Sequence, residues 1–458
     1  MTGMGIGSYL SRLLKKDLLL AYINIEILLG FIGGISIPLL YLAFAYSKIF
    51  ILVMIFFNLL IGTFIGFEIP ILTRVLANNQ QLRFNLSNVL SLDYLGALIA
   101  TLAFPFILLP LLGVYQTSLV FGLLNLLLGL ITYFIFKGEL NNKKDKTLYI
   151  FTFIFALLLV LGLYFSSTLR QFWDNKVYAY PVIHSERTDY QDLVLTSKNK
   201  MINLYLNGNL QFSSLDEYRY HESLVIIPAE NCFARSKVLV LGGGDGLAVR
   251  ELLKYKDIKS ITLVDLDPRV TFLAKNNKFL KECNQDSLNN ERVKIVNEDA
   301  FIYLQKNREQ YDLIIADLPD PNNLSLGKLY TQQFYRFAYE NLNPTGIFVT
   351  QATNPIQAQK AFWCIYKTIA ASGFPTVYPF ATYVPSFGQW GFVLASKNKK
   401  FTINNKITVA TKFLTEKKIS SLFNLDKDIF LDLNHINISS LDKPKVVSYY
   451  LDSWEYWN

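Results

Sequence analysis

Long apolar runs dominate the N-terminal part of this chain, and short ones alternate with polar stretches through the rest. Segments at roughly 24–46, 49–72, 89–112, 114–136 and 148–166 are almost wholly apolar. Each is long enough to cross a bilayer as a helix, which takes about 20 residues, so the pattern predicts an α-helical transmembrane bundle of five spans. "MTGMGIGSYL" precedes them and is small, apolar and glycine-rich, but too short to span; it reads as the tail of a helix. It is not a signal peptide, because no charged start leads into a defined apolar core and cleavage site. Acids within the spans are few. Glu26 and Glu68 lie near span ends and are either functional or interfacial, whereas Asp93, beside small residues in "DYLGALIA", is expected in the bundle interior.

The period changes after Asp174. "DYQDLVLTS" and "MINLYLNGNLQFS" read as strands, with Asn-Gly as a hairpin turn. A helix is expected from about Asp216 to Pro228. Then the strands "KVLVLGGG", "SITLVDLD", "VKIVNED", "YDLIIADL", "GIFVTQAT" and "GFVLAS" alternate with helical segments. Wholly apolar strands in such alternation predict a parallel sheet covered on both faces. The expected organisation is a membrane region over 1–170, a small β-domain over 177–215, a Rossmann-like α/β domain with a methyltransferase-type sheet over 216–398, and a tail over 399–458 whose fold the pattern does not reveal.

The chain has 458 residues and a net charge of +8. That excess reads as loop lysines plus a Lys/Asn-rich surface; no arginine stripe with interleaved aromatics points to nucleic acid. Cys232, Cys283 and Cys364 are odd in number and lack metal-ligand spacing, so they read as buried small apolar residues, without a disulfide framework or a metal site.

Ligands of an open parallel sheet bind outside the carboxyl ends of its strands. Gly242-Gly243-Gly244-Asp245-Gly246 follows the first of these strands, Asp265 and then Asp267 the second, Asp299 the third, and Asp317 and then Asp320 the fourth. A single aspartate there is commonly a helix cap. Delivery of one by each of four successive strands predicts a shared site. The glycines allow a tight turn and close approach of the backbone to a ligand. Asp245, inside that loop, would repel a pyrophosphate and attract a cation. Asp265 follows by about 20 residues, the spacing of an acid that holds a ribose diol, and Asp299 is placed to meet an adenine amino group. The set describes a sulfonium nucleoside without phosphates. Methyl transfer from S-adenosylmethionine and aminopropyl transfer from its decarboxylated form both fit. The carboxylates of Asp245, Asp317 and Asp320 favour the second, since its donor tail and its diamine acceptor are both cationic.

"VLVLGGGDGLAVRELLK", "ITLVDLDP", "NEDAF", "YDLIIADLPDP", "LYTQQFY" and "GIFVTQATNP", with "YQDLVL" and "LNGNLQFSSLDEYRYHE" before them, together resemble the polyamine aminopropyltransferase (spermidine synthase) family. The match runs in order over about 177–397. "DLPDPNN", "QKAFWCIYKTI" and "VPSFGQWGFVLAS" resemble its membrane-bound multi-pass subgroup, in which "GMGIGSYLS" closes the second helix. By that comparison the chain begins one to two helices into the bundle. The resemblance implies aminopropyl transfer from decarboxylated S-adenosylmethionine, as co-substrate, to putrescine, giving spermidine and methylthioadenosine, with no prosthetic group.

Carried over residue by residue, Asp317 is the catalytic base. Asp245, in the loop with Gly242 and Gly244, holds the aminopropyl ammonium. Asp265 binds the ribose, and Asp299 with Ala300 the adenine. Gln191 and Gln211 match glutamines near the nucleoside, Tyr220 and His221 a pair bordering the substrate, and Asp320 a diamine-binding acid. Tyr383 is the candidate for a tyrosine that holds the amine. Two departures bear on the acceptor and the ribose: Leu318-Pro319 replaces small hydroxyl residues, and Asp265 stands where the soluble enzymes have glutamate. Other readings remain open: transfer to another amine, methyl transfer, or a membrane protein that binds polyamine without turnover.

A lipid bilayer, a diamine and further copies of the chain are the expected partners. Arg12, Lys15, Lys16, Lys137, Lys143, Lys144 and Lys146 mark the cytoplasmic side of the bundle. Span parity would put the catalytic part opposite them. The cytoplasmic supply of the co-substrate and the lack of a disulfide pattern outweigh that count, so the catalytic part is expected in the cytoplasm, anchored to the cell membrane.

Overall fold

The structure is a computed structural model that describes residues 1–46, 49–76, 82–140, 145–169, 177–178 and 180–457. It divides into two compact units, Met1–Tyr180 and Pro181–Asn458. Lys143, Lys144, Asp174 and most of the expected boundary between 170 and 177 lie outside the described residues.

The first unit is helical: α1 (Thr2–Leu10), α2 (Leu18–Tyr46), α3 (Phe50–Leu76), α4 (Leu82–Ala103), α5 (Leu109–Ile135) and α6 (Asp145–Tyr164). Among the described residues, five stretches are long and apolar enough to cross a membrane: 18–44, 50–76, 87–108, 111–135 and 147–164. The glycine-rich α1 lies against α3 through facing small residues. A Cβ on Gly7 would stand 2.0 Å from the Thr63 carbonyl oxygen, and one on Gly66 would stand 2.2 Å from that of Met4. Small residues four apart on each helix let two backbones touch, as is common between helices in lipid. Asp93 corrects the expectation for it. None of the apolar window of α4 is buried and Asp93 is exposed, so its small neighbours do not mark an interior. Glu26, on α2, is the enclosed acid at 7% exposure, because α2 packs against both α3 and α5.

The second unit opens with β1 (Val182–Arg187), β2 (Asp192–Lys198), β3 (Met201–Leu206) and β4 (Asn209–Ser213), an antiparallel sheet in that order. Asn207 and Gly208 turn β3 into β4 with φ of 50° and 79°, the paired positive φ of a tight hairpin.

The large sheet holds β5 (Lys237–Gly242), β6 (Ser260–Asp265), β7 (Val293–Asn297), β8 (Tyr311–Asp317), β9 (Leu342–Gln351), β10 (Thr376–Val384) and β11 (Gly388–Ser396), in the order β10-β11-β9-β8-β5-β6-β7. Strands β5 to β9 are parallel, as the alternation predicts. Strands β10 and β11 run antiparallel. Only Pro385, Ser386 and Phe387 join them, enough for a hairpin and too few for a parallel crossover. Side chains alternate between the two faces. Leu239, Leu241, Ile314 and Ala316 enter one core with Phe334 and Trp363; Val238, Val240, Leu313 and Ile315 enter the other with Leu224 and Phe392.

The tail folds without a strong periodicity of its own. Side chains of the helix Gln359–Ala370 satisfy its backbone: Trp363 Nε1 donates to the Ile429 carbonyl at 2.7 Å, and Lys367 Nζ to those of Leu433 and Ile436, each at 2.7 Å. The chain then ends in the helix Lys445–Trp457. Cys364 is buried, while Cys232 and Cys283 are only partly so, and none forms a disulfide.

Candidate active site

Strands β5 and β8 are neighbours although β6 and β7 intervene in the chain, so the strand order reverses between them. Such a switch point opens a crevice at the carboxyl edge of the sheet. There Gly242, the last residue of β5, pairs in register with Asp317, the last of β8. Gly242 has φ of 77°, and a Cβ on it would stand 2.0 Å from the Asp317 carbonyl oxygen. One on Gly244 would stand 2.5 Å from Asp265 Oδ2. The glycine loop therefore fits closely around the acids themselves. Asp265 accepts from the backbone N–H of Gly244 (3.0 Å) and of Asp267 (2.9 Å), one on each oxygen.

Asp317 accepts a hydrogen bond from the Tyr220 hydroxyl at 2.7 Å, and His221 Nε2 lies 3.9 Å from its other oxygen. Both partners are buried on the helical segment that starts at Glu217. Its first residue holds the imidazole: His221 Nδ1 is 2.9 Å from Glu217 Oε2. Arg250 grips the same carboxylate with two bonds of 2.8 and 2.9 Å, and its Nε donates to Glu251 at 2.9 Å. Burial alone would depress the His221 pKa, but the hydrogen bond and charge of Glu217 hold it up at about 9. Burial would likewise raise Glu217, which His221 and Arg250 hold down at about 2.

Burial pushes Asp245 up to about 6, against the pull of His221, and Asp265 to about 6 against its backbone donors. Asp320 is raised by burial to about 6 as well, with hydrogen bonds from Tyr450, Gln351 and Thr353 opposing. Among the described residues no lysine or arginine pairs with Asp245, Asp265, Asp317 or Asp320. His221 is the one cationic group near Asp245 and Asp317 among the described residues, so carboxylates remain in excess, the setting in which a cationic ligand is favoured.

The loop between Asp317 and Asp320 is pinned from below. Tyr330, fully buried, donates to the Pro319 carbonyl at 2.8 Å, and Gln351 Nε2 donates to that of Leu318 at 2.7 Å and to Asp320 Oδ1 at 3.3 Å. Tyr450, from the last helix, donates to Asp320 Oδ2 at 3.0 Å.

The other expected residues divide. Gln191 reaches the edge of the crevice, where its amide and the Thr188 hydroxyl both donate to Asp267 Oδ2, at 3.0 and 2.7 Å. Asp299 lies at the same sheet edge, but its carboxylate caps the helix Ala300–Lys306 through the Phe301 N–H (2.9 Å) and pairs with Lys328. Ala300, beside it, is buried. Gln211 is bonded locally, to the Asn209 carbonyl at 3.3 Å. Tyr383 is 56% exposed, and its backbone carbonyl accepts from Arg219; neither is drawn to the four acids. Sequence reasoning missed Glu217 and Arg250, which stand in unremarkable helical stretches, and Tyr450, for which no spacing to Asp320 could serve as a signal.

Sheet order defines a Rossmann-like α/β domain, and its carboxyl edge gathers several acids. Comparison with known proteins narrows the class. The spermine/spermidine synthase domain model matches residues 217–407. A polyamine aminopropyltransferase of Leptospira interrogans is 40% identical over 451 residues, 98% of this chain and 89% of that protein. One from Oceanobacillus iheyensis is 39% identical over 99% of this chain and 89% of its own length. Among solved structures, a spermidine synthase in complex with the transition-state analogue AdoDATO is similar at TM-score 0.50 and 27% identity, over 54% of this chain and 85% of its own. The chain belongs to the polyamine aminopropyltransferase family and is an enzyme of that family.

Proposed function

We propose that the chain makes spermidine by moving an aminopropyl group to putrescine. Its co-substrate, the aminopropyl donor, is decarboxylated S-adenosylmethionine. One observation carries the reading: four acids line one crevice, without lysine or arginine partners among the described residues, while the reaction joins a sulfonium nucleoside to a diamine. In this reading Asp265, beside Gly244 and near Gln191, holds the ribose, and the edge at Asp299–Ala300 meets the adenine. Asp245 faces the donor's ammonium. A putrescine nitrogen gives up its proton to Asp317, and its lone pair attacks the carbon beside the sulfonium. The C–S bond breaks, its electrons neutralise sulfur, and methylthioadenosine leaves. Asp320 holds the far ammonium, and Tyr220 and His221 orient Asp317. Purified protein supplied with decarboxylated S-adenosylmethionine and putrescine should release methylthioadenosine and spermidine in equal amounts; release with no aminopropylated amine would defeat the proposal.

Donor choice follows from charge. Intact S-adenosylmethionine brings a carboxylate towards Asp245, and like charges repel more strongly out of water. Asp245→Asn is expected to weaken binding of the decarboxylated donor and to narrow its margin over S-adenosylmethionine. Calorimetric affinities with an unchanged margin would take this role from Asp245.

The helical unit is read as crossing the cell membrane with the catalytic unit in the cytoplasm, on the strength of its five long apolar helices and the cytoplasmic source of the donor. The protein should remain with membranes after alkaline washing, and protease added to inside-out vesicles should digest the catalytic unit. Protection of that unit would reverse the assigned side.

A further inference from the structure

The last helix lies beyond the region that the family model matches, which ends at 407. It is nevertheless built into the catalytic unit. Val446 and Val447 are buried in the same core as Phe362 and Trp363. A Cβ on Gly327 would stand 2.4 Å from a Val447 methyl group, so glycine there lets the helix seat against the segment that follows the acidic loop. Seated in this way, the helix brings Tyr450 to Asp320, 130 positions earlier in the chain. The Tyr450 ring is packed in turn against Trp454, with centroids 5.9 Å apart.

Among the described residues Asp320 has three donors: Tyr450 on Oδ2 at 3.0 Å, Thr353 on Oδ2 at 3.4 Å and Gln351 on Oδ1 at 3.3 Å. Tyr450 makes the shortest of these contacts. A carboxylate can accept about four hydrogen bonds, so one direction remains for a ligand, and the donors on both oxygens fix the plane in which it points. All three donors are neutral, so the negative charge stays available to a cation.

We propose that Tyr450 is a positioning residue for the acceptor: it locks the Asp320 carboxylate towards the amine end of the crevice, and the C-terminal helix thereby takes part in selecting a diamine. The proposal rests on the reading of Asp320 as the acid that holds the far ammonium. A group that acts only on that ammonium alters acceptor binding, leaving donor binding and the bond-making step intact.

The test is steady-state kinetics on the full chain with saturating donor, comparing putrescine with 1-aminobutane, which has the same carbon chain and no far ammonium. Tyr450→Phe keeps the ring and its packing. It should raise KM for putrescine about 3- to 10-fold, the loss of one hydrogen bond, with kcat and donor KM near wild type and no change for 1-aminobutane. An unchanged putrescine KM, or an equal loss with both amines, overturns the proposal. Asp320→Asn tests the reading beneath it separately: a raised putrescine KM supports that reading, and an unchanged one removes it. Tyr449→Phe, on the neighbouring residue whose hydroxyl accepts from Asn437, serves as the control and should leave both amines unaffected; a change for putrescine like that in Tyr450→Phe would also overturn the assignment.

Discussion

Asp317→Asn is expected to lower turnover by about 10²–10⁴, the usual cost of losing a positioned general base, while leaving donor affinity close to wild type. A protonated amine has no lone pair with which to attack, so something must accept its proton. Asp317 stands at the switch point with one oxygen held by Tyr220 at 2.7 Å, which fixes its direction without neutralising it. The competing view makes Asp317 a helix cap, a role that asparagine fills equally well. Its observed partners are side chains, and among the described residues it caps no helix, whereas Asp299 and Asp267 both do. Single-turnover rates on folded protein decide the matter: a rate for Asp317→Asn near that of wild type removes the base from this position.

Arg250→Leu should destabilise the catalytic unit by about 3–5 kcal/mol, because removing one partner of a buried ion pair leaves the other charge uncompensated. Arg250, Glu217 and Glu251 are 9%, 5% and 2% exposed at their side chains. The substitution leaves buried Glu217 with His221 and Glu251 with Lys254, and it removes the two-bond clamp on the Glu217 carboxylate that holds His221. Arg187→Leu is the matched contrast. Its pair with Asp192 spans 3.9 Å at 42% and 44% exposure, and exposed pairs of this kind contribute about 0–1 kcal/mol. Denaturant unfolding of the full chain in detergent, followed through the catalytic unit, measures both. Equal small losses would show that the Arg250 network is not a structural support of the site.

By itself the sequence determined whatever depends on local pattern. Uninterrupted apolar runs marked the long helices, because length and hydropathy are properties of a segment alone. Apolar strands ending in Gly or Asp revealed the parallel sheet and the acids Asp245, Asp265, Asp317 and Asp320 at its carboxyl edge. The fold rule that places ligands at strand ends converts chain order into spatial proximity. The same rule placed Asp299 at the edge but could not say that its carboxylate would be taken up by its own helix and by Lys328.

Only the tertiary structure decided what depends on contact between distant segments. It left Asp93 exposed, since burial of a helical acid depends on which neighbours the helix acquires. It resolved the tail, because that backbone is satisfied by Trp363 and Lys367 of another helix and not by its own periodicity. It drew Arg250 to Glu217, and Tyr450 to Asp320. Hydrogen bonds between residues far apart in the chain leave no spacing to read, because their geometry exists only once the cores on either face of the sheet have brought the helices together.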